Sequence, residues 1–173
     1  LMGIILNDGV RLPVLRIDTL HFAADTPYET RLINDPDKGV RVMPSEVATA
    51  LREALSQVVD AGTARRVSGI FKLDEGDALA MGGKTGTGDN RIESMGTGGR
   101  IISSKSINRT ATFVFYIGDH HFGTLTAFVP GRSAEAFKFT SALPVQVLKG
   151  MAPILTPYLQ PGTHTRCQAP QTL

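Results

Sequence analysis

The stretch Ala78-Leu79-Ala80-Met81-Gly82-Gly83-Lys84-Thr85-Gly86-Thr87-Gly88 decides how this chain is read. It opens as a short apolar strand and runs into glycines that flank a Lys-Thr pair. Two chemistries use glycines in this way. A phosphate-binding loop needs a glycine five residues before the Gly of Gly-Lys-Thr, and must run directly into a helix. Here the Gly is Gly83, the residue five before it is Ala78, and Asp89-Asn90-Arg91 with a glycine-rich stretch follows. Both requirements fail. The alternative is a substrate-binding edge strand. Lys84 would set a positive charge beside a substrate carboxylate, and the hydroxyls of Thr85 and Thr87 would donate charge-assisted hydrogen bonds to it. Gly86, lacking a side chain, would let a peptide approach the backbone closely and pair as an extra strand. A plain glycine-rich turn is the bland competitor, and three residues alone would favour it.

The neighbouring sequence shifts that balance. Thr110-Ala111-Thr112-Phe113-Val114-Phe115-Tyr116-Ile117 is rich in aromatic and β-branched residues and apolar on both faces, which predicts a central strand. Gly118-Asp119-His120-His121 makes a turn, and Phe122 to Val129 returns as the second arm of an antiparallel hairpin closed by Pro130-Gly131. Upstream, Val47, Ala50, Leu51, Ala54, Leu55, Val58 and Val59 fall on one helical face, expected to pack on a sheet. Pro44 and Ser45 suit its start, and Gly62 suits its end as a left-handed stop. Residues 133–159 read as helical, with Pro144 and Pro153 expected to interrupt or kink them. Residues 1–40 carry many turn signals, including Asn34-Asp35-Pro36, and predict an ordered connection with short extended pieces. Residues 89–109 are polar and glycine-rich and predict a surface excursion. The order of elements predicts an α/β (α+β) fold, an antiparallel sheet with helices packed against it, over residues 1–160. The tail from Pro161 to Leu173 is expected to be disordered.

Composition narrows the function classes. The 173 residues are 42% hydrophobic and 20% charged, ordinary for one globular domain. The net charge of +2 is scattered, with Arg65-Arg66 the sole adjacent basic pair, so no stripe for nucleic acid is predicted. No run approaches the length of a transmembrane helix. The single cysteine, Cys167, rules out an internal disulfide framework. His120 and His121 in a turn, His21 far away and His164 in the tail do not suggest zinc, and Asp74, Glu75 and Asp77 lack the full calcium-loop pattern. No metal or cofactor is expected. Arg91 reads as an exposed loop arginine, and Phe113, Phe115, Tyr116, Phe122 and Phe128 as sheet core.

With these residues in hand a family resemblance is clear. Gly83-Lys84-Thr85-Gly86-Thr87 resembles the Lys-Thr-Gly-Thr motif of penicillin-binding transpeptidases, a motif shared with serine β-lactamases. Val58-Val59-Asp60-Ala61-Gly62-Thr63-Ala64 resembles the end of the helix that precedes it. Gly3-Ile4-Ile5-Leu6-Asn7-Asp8-Gly9-Val10, Thr26-Pro27-Tyr28-Glu29-Thr30, Asn108-Arg109-Thr110-Ala111-Thr112-Phe113 and Phe139-Thr140-Ser141-Ala142-Leu143-Pro144 resemble the large bifunctional (class A) members. The resemblance implies a serine that attacks the penultimate D-alanine of a peptidoglycan stem peptide, and an acyl-enzyme that a second stem peptide resolves into a cross-link. It implies that Lys84, Thr85, Gly86 and Thr87 bind the D-alanyl-D-alanine end, that Lys84 adds positive potential, and that the Thr87 backbone supplies an oxyanion-hole donor. β-Lactams would mimic that end. The parent would be a membrane-anchored enzyme on the periplasmic face of the inner membrane that also carries a glycosyltransferase domain.

One departure is decisive for this chain. The family's nucleophile lies in Ser-x-x-Lys, and the residues three before the six lysines are Asp35, Gly69, Met81, Ile102, Glu135 and Gln146. None is serine. The second family motif, Ser-x-Asn, should precede Lys-Thr-Gly; Ser106-Ile107-Asn108 follows it and reads as coincidence. Together with the start at Leu1, this predicts the C-terminal portion of one transpeptidase domain, inactive alone and partnered in life by the N-terminal remainder. A serine β-lactamase or D,D-carboxypeptidase portion and a non-catalytic stem-peptide-binding module remain open.

Overall fold

The computed structural model describes residues 1–17, 19–22, 27–32, 36–73 and 76–160. Asn34-Asp35, Thr26, Asp74, Glu75, His164, Cys167 and the tail from Pro161 lie outside the described residues. The chain forms two units, Leu1–Arg52 and Glu53–Leu173.

The first unit is built from short pieces. Helix α1 spans Met2–Leu6, where the sequence predicted no helix, and buries Met2 and Ile5. Strand β1 (Val10–Arg11) pairs antiparallel with β4 (Val40–Arg41), and β2 (Thr19–His21) with β3 (Glu29–Arg31). The extended pieces anticipated from the turn signals are these four strands. Asp8 and Gly9 turn the chain with positive φ, 52° and 83°. A Cβ on Gly9 would lie 2.3 Å from the Met43 carbonyl oxygen, so only glycine fits there. The Asp8 carboxylate accepts a hydrogen bond from the Ser45 hydroxyl and pairs with Arg41 at 3.5 Å.

Helix α2 spans Ser45–Asp60, with Glu46 in its first turn where the helix dipole favours an anion. Its predicted apolar face is only partly covered. Val59 is buried, but Val47 and Leu51 are 45% and 38% exposed. Gly62 does not adopt the left-handed stop expected of it; its φ is ordinary. Its lack of a side chain serves close packing instead, since a Cβ would lie 2.8 Å from Val58 Cα.

The second unit holds a three-stranded antiparallel sheet in the order β5 (Met81–Met95), β6 (Ile101–Ile117), β7 (His121–Pro130). The central strand is β6, as its two-sided apolarity predicted. On one face Met81, Phe113, Phe115 and Ile117 meet Val59, Val67, Phe71, Val145, Leu148 and Ala152 in a single core. Rings of Phe113 and Phe115 stack at 5.4 Å. On the opposite face Tyr116 is buried against Gly82, whose absent Cβ leaves room for the ring.

Three expectations are corrected here. Phe122 and Phe128 are not core: they are 58% and 56% exposed, because β7 is an edge strand and both lie on the face away from the helices. Residues 89–109 do run along the surface, mostly exposed, but as regular strand. They continue β5 and β6 as a two-stranded ribbon, with register shifts at Asn90/Arg91 and Ser94/Met95 and a turn carrying Gly98 and Gly99 at positive φ. The C-terminal helical stretch is split. A 3-10 turn covers Gly131–Ala136, and α3 covers Ala142–Leu159. Pro144 sits in the first turn of α3, where backbone N–H groups have no helical partner, so it does not interrupt the helix.

Candidate substrate-binding edge

Strand β5 is an outer strand of its sheet among the described residues, and the Lys-Thr-Gly-Thr string lies within it. Lys84, Thr85, Gly86 and Thr87 pair with Val114, Phe113, Thr112 and Ala111. Side chains alternate along a strand, so Thr85 and Thr87 point to the helix-packed face while Lys84 and Gly86 point to the other. The predicted site residues are therefore divided between two faces.

The strand edge reunites them. The Ala80 carbonyl accepts from Gly118 N–H, and Asn90 N–H donates to the Asn108 side chain, so even-numbered backbone groups face β6. By alternation the N–H and C=O of Thr85 and Thr87 face the unpaired edge. Lys84 confirms this geometry: its Nζ folds around the edge and donates to the Thr85 carbonyl at 2.7 Å. An ammonium has three donors, and this bond leaves two for an incoming anion.

Both threonine hydroxyls are held. Thr85 is buried, and its Oγ1 lies 2.7 Å from Oγ1 of Thr63, just after α2. Two hydroxyls sharing one hydrogen bond retain one further hydrogen between them. Thr87 Oγ1 accepts the Ser141 N–H at 2.8 Å, at the start of α3, which leaves the Thr87 hydroxyl free to donate. Thr63 and Ser141 were not predicted as site residues. Both lay inside strings that resemble the family, yet no local pattern said that either would touch β5.

Gly83 and Gly86 differ in kind. A Cβ on Gly83 would meet the Val114 carbonyl at 2.5 Å and the Phe113 ring at 2.6 Å. A Cβ on Gly86 would meet nothing within 4 Å. Packing demands the first glycine and is indifferent to the second.

Further along the ribbon lies a polar cluster. Arg91 donates through Nε to Asp89 at 3.0 Å and pairs with it through Nη2 at 2.7 Å. The buried Ser106 hydroxyl, with one hydrogen to give, lies 3.1 Å from the Asn108 carbonyl oxygen and 3.4 Å from the Asp89 carboxylate. The Arg91 hydrogen bond, opposed by partial desolvation and aided by the Arg91 charge, holds the Asp89 carboxyl below its ordinary range. Past the last β6–β7 pair, Asn108–Pro130, the Ser106 N–H is taken by the Glu135 carboxylate at 3.3 Å. Ser106-Ile107-Asn108 thus lies within β6, at a bulge, and not at the strand edge.

His120 stands in the turn before β7, and no group of three or more His, Cys, Asp or Glu among the described residues is placed to hold a metal ion. Among the same residues no helix is long and apolar enough to cross a membrane.

The arrangement is that of a sheet with an open outer strand among the described residues, backed by helices on one face. Comparison with solved structures places it in the penicillin-binding protein fold. Penicillin-binding protein 3 from Mycobacterium tuberculosis matches over 90% of this chain and 33% of its own, with 20% identity and a TM-score of 0.50. A peptidoglycan synthetase from Bifidobacterium adolescentis matches 99% of this chain and 27% of its own at 17% identity, TM-score 0.47. Penicillin-binding protein 2B from Streptococcus pneumoniae matches 94% and 24% at 17% identity, TM-score 0.46. The fold assignment rests on the first. This chain spans about a third of that relative's length. No protein-family model and no curated protein matches the sequence.

Proposed function

We propose that this chain is the substrate-binding part of a D,D-transpeptidase that cross-links peptidoglycan stem peptides through an acyl-serine intermediate. The observation that carries the reading is the Lys84 ammonium folded onto the unpaired edge of β5, beside the outward N–H and C=O of Thr85 and Thr87. In this reading the terminal carboxylate of a D-alanyl-D-alanine end sits at Lys84 and Thr85, with the Thr87 hydroxyl donating to it. The Thr87 N–H donates to the scissile carbonyl oxygen, where negative charge develops during acylation. The rest of the peptide pairs with the edge as an added strand. Gly86 keeps the flank bare for that approach, since nothing in the fold requires glycine there.

The nucleophilic serine comes from the N-terminal remainder of the domain, because the sequence holds no Ser-x-x-Lys. The parent is read as a class A enzyme at the outer face of the cytoplasmic membrane, with a glycosyltransferase domain, and β-lactams as inhibitors that occupy the same edge.

Fluorescent-penicillin labelling on a denaturing gel tests the reading. The intact parent should label, this chain alone should not, and Lys84→Ala in the parent should reduce the labelling rate by 100-fold or more, as expected for removal of a charge from the acylation site. A folded parent that never labels would leave a non-catalytic binding module as the function.

A further inference from the structure

The distal half of β5 presents an open edge of its own. Both residues skipped by the β5–β6 ladder, Ile107 and Ile102, belong to β6, so β5 itself runs without a bulge to Met95. Its alternation survives to the turn, where Gly96 N–H still points at β6 and donates to the Arg100 carbonyl at 2.8 Å. The N–H and C=O of Asp89, Arg91, Glu93 and Met95 therefore face outward, and no backbone partner among the described residues takes them. A regular, uncovered edge is a template for another strand, and the bulges that would blunt one sit on β6.

The edge is also complementary to itself. In a two-fold antiparallel pair, outward residues of one copy must meet outward residues of the other. A register centred on Ile92 sets Arg91 opposite Glu93 of the second copy, and Glu93 opposite its Arg91. It also brings the two Ile92 side chains together as a non-hydrogen-bonded pair, with Cα atoms about 4.5 Å apart. A centre at Arg91 or at Glu93 sets like charges opposite each other. A centre at Asn90 sets Ile92 against Gly88, and a centre at Ser94 sets it against Gly96, so neither gains the apolar contact. The side chains are placed for the Ile92 register. Ile92 is 59% exposed. Arg91 engages Asp89 through Nε and Nη2, which leaves Nη1 with both its hydrogens. The exposed Glu93 carboxylate accepts from the Ser104 hydroxyl at 3.3 Å through Oε1 and keeps acceptor capacity on both oxygens.

We propose that the β5 edge from Asp89 to Met95 is a self-association surface, on which a second copy of this chain pairs antiparallel about Ile92. The pair ends at Asp89 and Met95, because the chain turns at Gly96, so the edge at Thr85 and Thr87 stays open in both copies. Pairing along one short strand is at the small end of interface sizes, and a weak dimer with a dissociation constant of about 10–100 μM is expected.

Disulfide trapping reads the register directly. In a Cys167→Ser background, which removes the single native thiol, Ile92→Cys should form a cross-linked dimer on mild oxidation at about 100 μM chain, because paired Cα atoms at that spacing suit a disulfide. Asn90→Cys and Ser94→Cys each lie roughly 14 Å from their own copy along the pair and should not cross-link. In sedimentation equilibrium, Arg91→Glu should weaken the dimer by about ten-fold or more through like-charge apposition. Arg91→Glu/Glu93→Arg should restore it, which a mere loss of folding would not allow. Equal trapping at all three positions, or a wild-type chain that stays monomeric at about 200 μM, would overturn the self-association surface. Penicillin labelling of the parent depends on Lys84 and not on this pairing, so its failure would leave the surface standing.

Discussion

Strands β5 and β6 form one continuous hairpin with two different ends. At the motif end, residues 81–88 and 110–117 are backed by helices, and Phe113, Phe115 and Ile117 are buried. At the distal end, residues 90–106 stay paired through two register shifts but carry Ile92, Met95, Ile101 and Ile102 at 50% to 71% exposure. Both ends are hydrogen-bonded ladders; only the motif end is covered. A two-stranded ribbon alone is marginal in water, and only a packed face makes it stable. The motif edge is held in place by what lies behind it, not by the strand itself.

Substitutions at the two ends should separate by size. Phe113→Ala, which empties the centre of the packed face, should cost about 3–5 kcal/mol in chemical denaturation. A loss below 1 kcal/mol would mean that the helices do not anchor the motif. Next, Gly83→Ala drives a methyl into the Val114 carbonyl and the Phe113 ring and should cost about 1–3 kcal/mol, while Gly86→Ala, facing open space, should stay within about 0.5 kcal/mol. Equal costs would contradict the division of the glycines. Thr63→Val removes the partner of a buried hydroxyl and should cost about 1 kcal/mol in chemical denaturation. The smallest effect belongs to the distal end: Ile102→Ser should leave stability within about 0.5 kcal/mol.

Asp89 adds a pH signature to the distal end. Its folded pKa lies below the ordinary carboxylate value because Arg91 donates to the ionised form. The contribution is present above the unfolded pKa and fades as pH falls through the folded one. Asp89→Asn should therefore differ from wild type at neutral pH and converge with it in acid, as followed by melting temperature across that range.

Much of the motif end was legible in the sequence. The two-sided apolarity of 110–117 marked a central strand, and the failure of the phosphate-loop spacing at Ala78 left the edge strand as the chemical reading of Lys84 and Thr85. The distal ribbon was not legible, because its residues are polar and glycine-rich and their strand conformation comes from pairing alone. Phe122 and Phe128 misled for the opposite reason: aromatic residues suit a strand whether or not anything covers them. The apolar stripe of α2 told where the helix lies, but not that Val47 and Leu51 would remain exposed.

The sequence by itself determined helix α2, the central strand, the Lys-Thr-Gly-Thr motif and the absence of Ser-x-x-Lys, since each depends on residues close in the chain. Only the tertiary structure decided which edge of the sheet is open, that Lys84 folds onto it, and that Thr63 and Ser141 hold the threonines from 22 and 54 residues away. Those contacts are made by packing helices against a sheet, and no local periodicity records which distant residue packing will bring to a given strand.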